Sequence, residues 1–118
     1  MDWAMNLTGR LLLAALFLAG AVQKVADPAA AQALLSGVGL PVWLIWPAAL
    51  LDGALAVGIL AGPLVRASAL VAAVYCMATS VFHFIPEDGW QMSIFVKNWA
   101  IAGGLLVLAS QPLPRRRT

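Results

Sequence analysis

The chain has 118 residues, 63% hydrophobic and only 10% charged, with a mean hydropathy of +0.92. A soluble domain averages roughly 45–50% apolar and ~25% charged residues, and a core of this size cannot hide the surplus, so the solvent is lipid. The formal net charge of +2 argues against a nucleic-acid binder, and the single cysteine, Cys76, excludes an intrachain disulfide.

A membrane-spanning helix needs ~20 mainly apolar residues. The first such stretch is 7–25, "LTGRLLLAALFLAGAVQKV". Its Ala19-Gly20-Ala21 resembles a signal-peptide cleavage site, but the segment is read as a retained span. The next element is "ADPAAAQALLSGVGLP". Asp27-Pro28 fits an N-cap followed by proline at the first helical position, and Gly37 or Gly39 fits a stop. With Leu34, Leu35 and Val38 on one face, this predicts a short interfacial helix.

The apolar run 42–84 is, at about 1.5 Å per helical residue, twice the thickness of the hydrocarbon core. Gly62-Pro63 divides it, because a Gly-Pro pair stops one helix and starts another. Spans are therefore predicted at 42–60 and 64–84. The Pro86-Glu87-Asp88-Gly89 cluster reads as a turn, and a fourth span follows at 91–108. The whole is an all-α membrane protein: a single transmembrane domain over 1–111, a four-helix bundle, with a basic cytoplasmic tail at 112–118.

Basic residues near the span ends set the orientation. Arg10, Arg66 and Arg115-Arg116-Arg117 fall on one side, and Lys24 stands alone on the other with Asp27, Glu87 and Asp88. The positive-inside rule then predicts both termini in the cytoplasm, with Trp43, Trp46 and Trp90 at the outer interface. Arg10 and Arg66 are close enough to the inner surface to snorkel and need no partner.

Polar residues inside the spans mark the candidate site. Asp52 lies near the middle of the second span, and Lys97 lies about one turn outward in the fourth, beside Asn98. A charge at the bilayer centre costs at least ~2.5–3.5 kcal/mol, so Asp52 is expected to face the interior and pair with Lys97. Asp52, Lys97 and Asn98 would form the floor of a polar pocket for a headgroup such as a quinone carbonyl. Gln23, Lys24 and His83 would stand at its mouth. A purely structural alternative has the same residues only ordering the bundle, with Lys24 snorkelling outward and His83 a hydrogen-bonded surface residue. Tyr75 and Cys76 read as packing. Gly58-xxx-Gly62, Ala15-xxx-Ala19 and Gly103-Gly104 offer close helix contact. One cysteine excludes a cysteine-pair relay and one histidine excludes bis-histidine haem within a protomer. His83, Glu87 and Asp88 match no metal-site spacing.

Three stretches, "RLLLAALFLAGAVQK", "LLDGALAVGILAG" and "FVKNWAIAGGLLVLA", carry a family resemblance. In this order they resemble the DoxX family of small bacterial four-helix membrane proteins. The resemblance rests on Arg10, Gly20, Lys24, Asp52, Lys97, Asn98, Gly103 and Gly104, with aspartate at 52 where glutamate is usual. It implies a multi-pass bacterial inner-membrane protein. The family takes its name from a subunit of a thiosulfate:quinone oxidoreductase, and its relatives associate with superoxide dismutase or sulfurtransferase partners or with quinone and catechol stress. The function expected is a quinone-associated membrane subunit or anchor, in the lipid bilayer beside a soluble or membrane oxidoreductase subunit. The alternatives are a non-enzymatic scaffold or assembly factor, or a small-solute channel or transporter. The last would require a homo-oligomer, because four short helices hardly enclose a pathway.

Overall fold

The computed structural model describes residues 2–112. All of the basic tail predicted at 112–118 except its first residue lies outside the described residues. Five helices follow in order: α1 (Asp2–Ala26), α2 (Pro28–Gly37), α3 (Ile45–Leu60), α4 (Val65–Thr79) and α5 (Gly89–Ser110). Single 3₁₀ turns at Val42–Leu44, Gly62–Leu64 and Ser80–His83 extend α3 and α4. With these extensions, four helices are long and apolar enough to cross a membrane: Asp2–Ala26, Val42–Leu60, Gly62–His83 and Gly89–Ser110. The all-α, four-span architecture expected from the sequence is the observed one.

Local chemistry accounts for the boundaries. The α3–α4 connection passes through Gly62-Pro63 as predicted, because proline fixes the first turn of the new helix and lacks the amide that would continue the old one. α5 starts at the predicted turn, where the Asp88 carboxylate accepts hydrogen bonds from the Trp90 and Gln91 amides at 3.0 and 3.2 Å. That is an N-cap satisfying two amides with no intrahelical partner. α2 begins with Pro28 and ends in a Schellman motif. The Gly39 amide donates to Ser36 O and the Leu40 amide to Leu35 O, both at 3.0 Å. Gly39 sits at φ +77, where a side chain would be strained. Of the two glycines considered as the stop, Gly39 is the one used.

α1 packs chiefly on α3, and α4 packs chiefly on α5; α3 against α4 joins the two pairs. The α3–α4 seam is close because Gly58 faces Ser68, and a Cβ at Gly58 would overlap the serine side chain. Gly62, Gly103 and Gly104 have no such neighbour, so the close packing expected of them from the sequence does not occur. The shared core is small, built from Ala14, Phe17, Leu55, Ile59, Ala72 and Leu105 among others.

The end of the bundle that carries the chain termini is tied by arginines. Arg10 is buried and donates from Nε to Ile59 O and from Nη2 to Leu60 O, both at 2.9 Å, and from Nη1 to Asn6 Oδ1 at 3.2 Å. Arg66 donates from Nε to Ala109 O at 3.0 Å. The expectation that these side chains need no partner is therefore corrected. The last carbonyls of α3 and α5 lack intrahelical donors, and a guanidinium satisfies them while complementing the helix dipole.

Candidate functional site

The other half of the bundle holds a cavity of about 520 Å³. All five helices contribute to its wall. α2 lays Ala30, Ala31, Leu34 and Leu35 across it, and these recur at helical spacing, so one apolar face of α2 forms a roof. Phe17, Leu44, Ile45 and Ala48 continue the apolar lining.

The main polar feature is an ion pair between α1 and α3. Lys24 Nζ lies 2.5 Å from Asp52 Oδ2, and the lysine side chain is 23% exposed whereas the aspartate side chain is 4% exposed. Gly20 makes room for the contact. It stands one turn before Lys24, and a Cβ there would come within 3.1 Å of Asp52 Oδ2. A glycine one turn ahead of the lysine thus lets the carboxylate lie against the α1 backbone.

Asp52 was expected to pair with Lys97, and this is corrected. Lys97 is on the exposed face of α5, with its ammonium 5.6 Å from the centroid of the Trp90 ring. Its neighbour Asn98 is half-buried and lines the cavity. Successive helical residues point about 100° apart, so α5 cannot turn both Lys97 and Asn98 into the interior. Asp52 instead takes the lysine of the adjacent helix.

The remaining candidates fall as follows. Gln23 is exposed and stands at the cavity wall beside Lys24. His83 is half-buried and also lines it, with Nδ1 2.6 Å from Gln91 Oε1. With the amide oxygen accepting, Nδ1 carries the proton and Nε2 is left as an acceptor. The structure thus brings Asp52, Lys24, Gln23, His83 and Asn98 to one cavity and leaves Lys97 outside it. Among the described residues no cluster of three or more histidine, cysteine or acidic side chains could hold a metal.

Three lining residues escaped the sequence reading. Tyr75 and Cys76, read as packing, border the cavity. Thr79 follows Tyr75 by one turn, and its hydroxyl is hydrogen-bonded to Tyr75 O at 2.8 Å. The spacing of Tyr75, Thr79 and His83, each four apart, was the available signal: it is one polar stripe along an otherwise apolar span. Asp27, expected as the α2 cap, occupies that backbone position but makes no side-chain capping bond, and it lines the cavity instead.

The fold and site together define a small four-span helical membrane protein with a partly buried interhelical ion pair at the wall of an apolar cavity. The DoxX family model matches residues 5–85, which include the ion pair and most of the cavity wall. The chain belongs to the DoxX family. It is also 32% identical over 104 residues to the inner membrane protein YqjF of Escherichia coli strain K12, a match covering 87% of this chain and 80% of that protein. No solved structure matches the chain significantly.

Proposed function

We propose that this protein is a quinone-associated membrane subunit or anchor of an oxidoreductase or oxidative-stress system, and that the cavity holds the quinone headgroup. The observation that carries the reading is the Lys24 ammonium at the wall of an apolar cavity of about 520 Å³. That volume lies within the ~300–1,000 Å³ usual for small-molecule sites, where an apolar lining with a few fixed polar groups sets orientation. An ammonium has three N–H donors, and Asp52 accepts from one of them. The buried carboxylate fixes the lysine, and the more exposed ammonium keeps donors for a carbonyl oxygen. Asn98 and the Tyr75 hydroxyl supply further polar contacts from α5 and α4.

The proposed location is the bacterial inner membrane, in keeping with the name of the relative above, with both termini cytoplasmic. Arg10 and Arg66 at the terminal end support that orientation. In a Cys76→Ala background, a cysteine at Glu87 is expected to react in intact cells with a membrane-impermeant thiol reagent. Labelling of a tail cysteine instead reverses the topology.

The functional test is titration of the purified protein with a short-chain benzoquinone, together with assay of the preparation for co-extracted quinone. A charge-assisted hydrogen bond contributes about 1.5–3 kcal/mol. Lys24→Gln is therefore expected to weaken binding about tenfold to a hundredfold while the helical circular dichroism is retained, and Lys97→Gln is expected to leave binding unchanged. Absence of saturable binding in the wild type replaces this reading with the scaffold one.

A further inference from the structure

We infer that α2 is a hinged lid: it swings as one body to admit a ligand at the end of the bundle opposite the chain termini, and it closes over the occupied cavity. This rests on the headgroup-binding reading above and adds how the site is reached and sealed.

The attachment of α2 is unlike that of the spans. Alone of the five helices it has no buried residue, and among the described residues no side chain from 28 to 40 makes a hydrogen bond or an ion pair. Its hold on the bundle is the apolar face of Ala30, Ala31, Leu34 and Leu35, laid across the cavity. Apolar contact is non-directional, so such a face can part and re-form without breaking a specific bond. The spans, by contrast, are tied. Lys24 and Arg10 join α1 to α3, and Arg66 joins α4 to α5.

Both ends of α2 are built as hinges. The Asp27 amide donates to Gln23 O at 2.8 Å and so finishes α1, and Pro28 has no amide to carry the ladder across. Asp27 itself has left helical geometry, and its carboxylate makes no capping bond. At the other end the amides of Val38, Gly39 and Leu40 all donate back into α2, so the chain as far as Leu40 moves with the helix. Pro41, again without an amide, separates it from the turn Val42–Leu44 that begins the next span. α2 is a hydrogen-bonded unit bounded by two prolines.

The cavity reaches the surface at the first of these hinges. On the cavity face of α1, Phe17 is buried, Lys24 is half-buried, and Asp27 is exposed, with Gln23 exposed beside it. An apolar ring seated below α2 offers Leu34 and Leu35 surface to cover, so occupancy favours the closed form by the difference in affinity between the two forms. Closure also thins the water around the Lys24 ammonium, whose hydrogen bond to a ligand strengthens as the local dielectric falls.

The experiment uses the full chain in lipid nanodiscs, in a Cys76→Ala background. Nitroxide labels are carried by Ala33→Cys on the exposed face of α2 and Val57→Cys on the exposed face of α3. A second pair, Val74→Cys with Val57→Cys, reports movement of the spans themselves. Pulsed electron spin resonance reads both distances with and without tetramethyl-benzoquinone, a ring that cannot add a thiol, and its binding to the same samples is titrated. Two Ala33–Val57 distances are expected without the quinone, with a gain of about threefold or more in the nearer population when it is bound. The Val74–Val57 distance is expected to stay single and unchanged. Leu34→Ala combined with Leu35→Ala weakens only the closed form, and is expected to enlarge the farther population and to speed quinone release by about fivefold or more. A single Ala33–Val57 distance, or two whose ratio quinone binding leaves unchanged, overturns the lid but leaves the headgroup site standing. Absence of saturable binding overturns the site, and the lid as its gate falls with it.

Discussion

The two ends of the bundle solve the same problem by opposite means. At the terminal end polar groups are paired with backbone: Arg10 and Arg66 bond to the last carbonyls of α3 and α5. The side chains between them, such as Ile59, Val65 and Leu105, are completely buried. At the α2 end polar groups are paired with each other, and the helices stand far enough apart to leave about 520 Å³ of space. The closely packed, arginine-tied half holds the helices in register. The open half can then keep a charged pair at a cavity wall without collapsing onto it. Preorganised sites depend on this division, because the groups around them must be fixed from elsewhere.

The sharpest way to break the comparison is to remove one member of the ion pair. Lys24→Met leaves the nearly buried Asp52 carboxylate without its cation, and breaking a buried pair from one side typically costs about 3–5 kcal/mol. Thermal unfolding in detergent is expected to fall markedly for Lys24→Met and less for Asp52→Leu, since the surviving Lys24 can turn toward water. The double variant is expected to be more stable than the two losses added together. Strict additivity of the three variants shows that the two groups are not coupled.

Arg10→Met tests the other end and is expected to have the next largest effect. It strips two charged hydrogen bonds from the carbonyls of Ile59 and Leu60, each worth about 1.5–3 kcal/mol, and the loss is expected at the low end, about 3 kcal/mol, because carbonyls at a helix end can take up water. Because the cavity is remote from it, quinone affinity in the folded fraction is expected to stay within twofold of wild type. A loss of affinity equal to that of Lys24→Gln would mean that the two ends are one cooperative unit.

The same division explains what the sequence revealed. The four long apolar helices, the short helix α2 and both turns were legible because they depend on local features: hydropathy over ~20 residues, Asp27-Pro28, Gly62-Pro63 and the acidic turn before α5. The identity of Asp52 as a buried ionisable group was also legible, since depth follows from counting. Its partner was not. Choosing between Lys24 and Lys97 requires the rotation of each helix about its own axis, and α5 is so evenly apolar around Lys97 and Asn98 that its sequence defines no inward face. The roles of the arginines were hidden for a related reason: their acceptors are carbonyls, which every residue carries and no sequence pattern marks. Gly20 offered a clue, because a glycine one turn from a lysine makes room beside the helix for a carboxylate. Gly103-Gly104 looked equivalent and contacts nothing within 4 Å.

The smallest expected effect is at Lys97, and it discriminates best. An exposed ammonium over an aromatic ring contributes about 0.5–1 kcal/mol, and Lys97 lies 5.6 Å from the Trp90 centroid on the outer face of α5. Its long aliphatic stem can run along the apolar helix surface while the charge reaches the interface where Trp90 sits, so insertion costs little. Lys97→Gln is therefore expected to shift thermal stability only slightly. Combined with Asp52→Leu it should give a strictly additive result, in contrast to the non-additive cycle between Asp52 and Lys24. The cleanest readout is Trp90 fluorescence. With the other tryptophans replaced by phenylalanine, removing the ammonium from above the indole should change its emission, and Lys24→Gln should not. If Lys97→Gln couples to Asp52 by more than about 1 kcal/mol, the two lysines share the carboxylate, and α5 must rotate to bring the second one in.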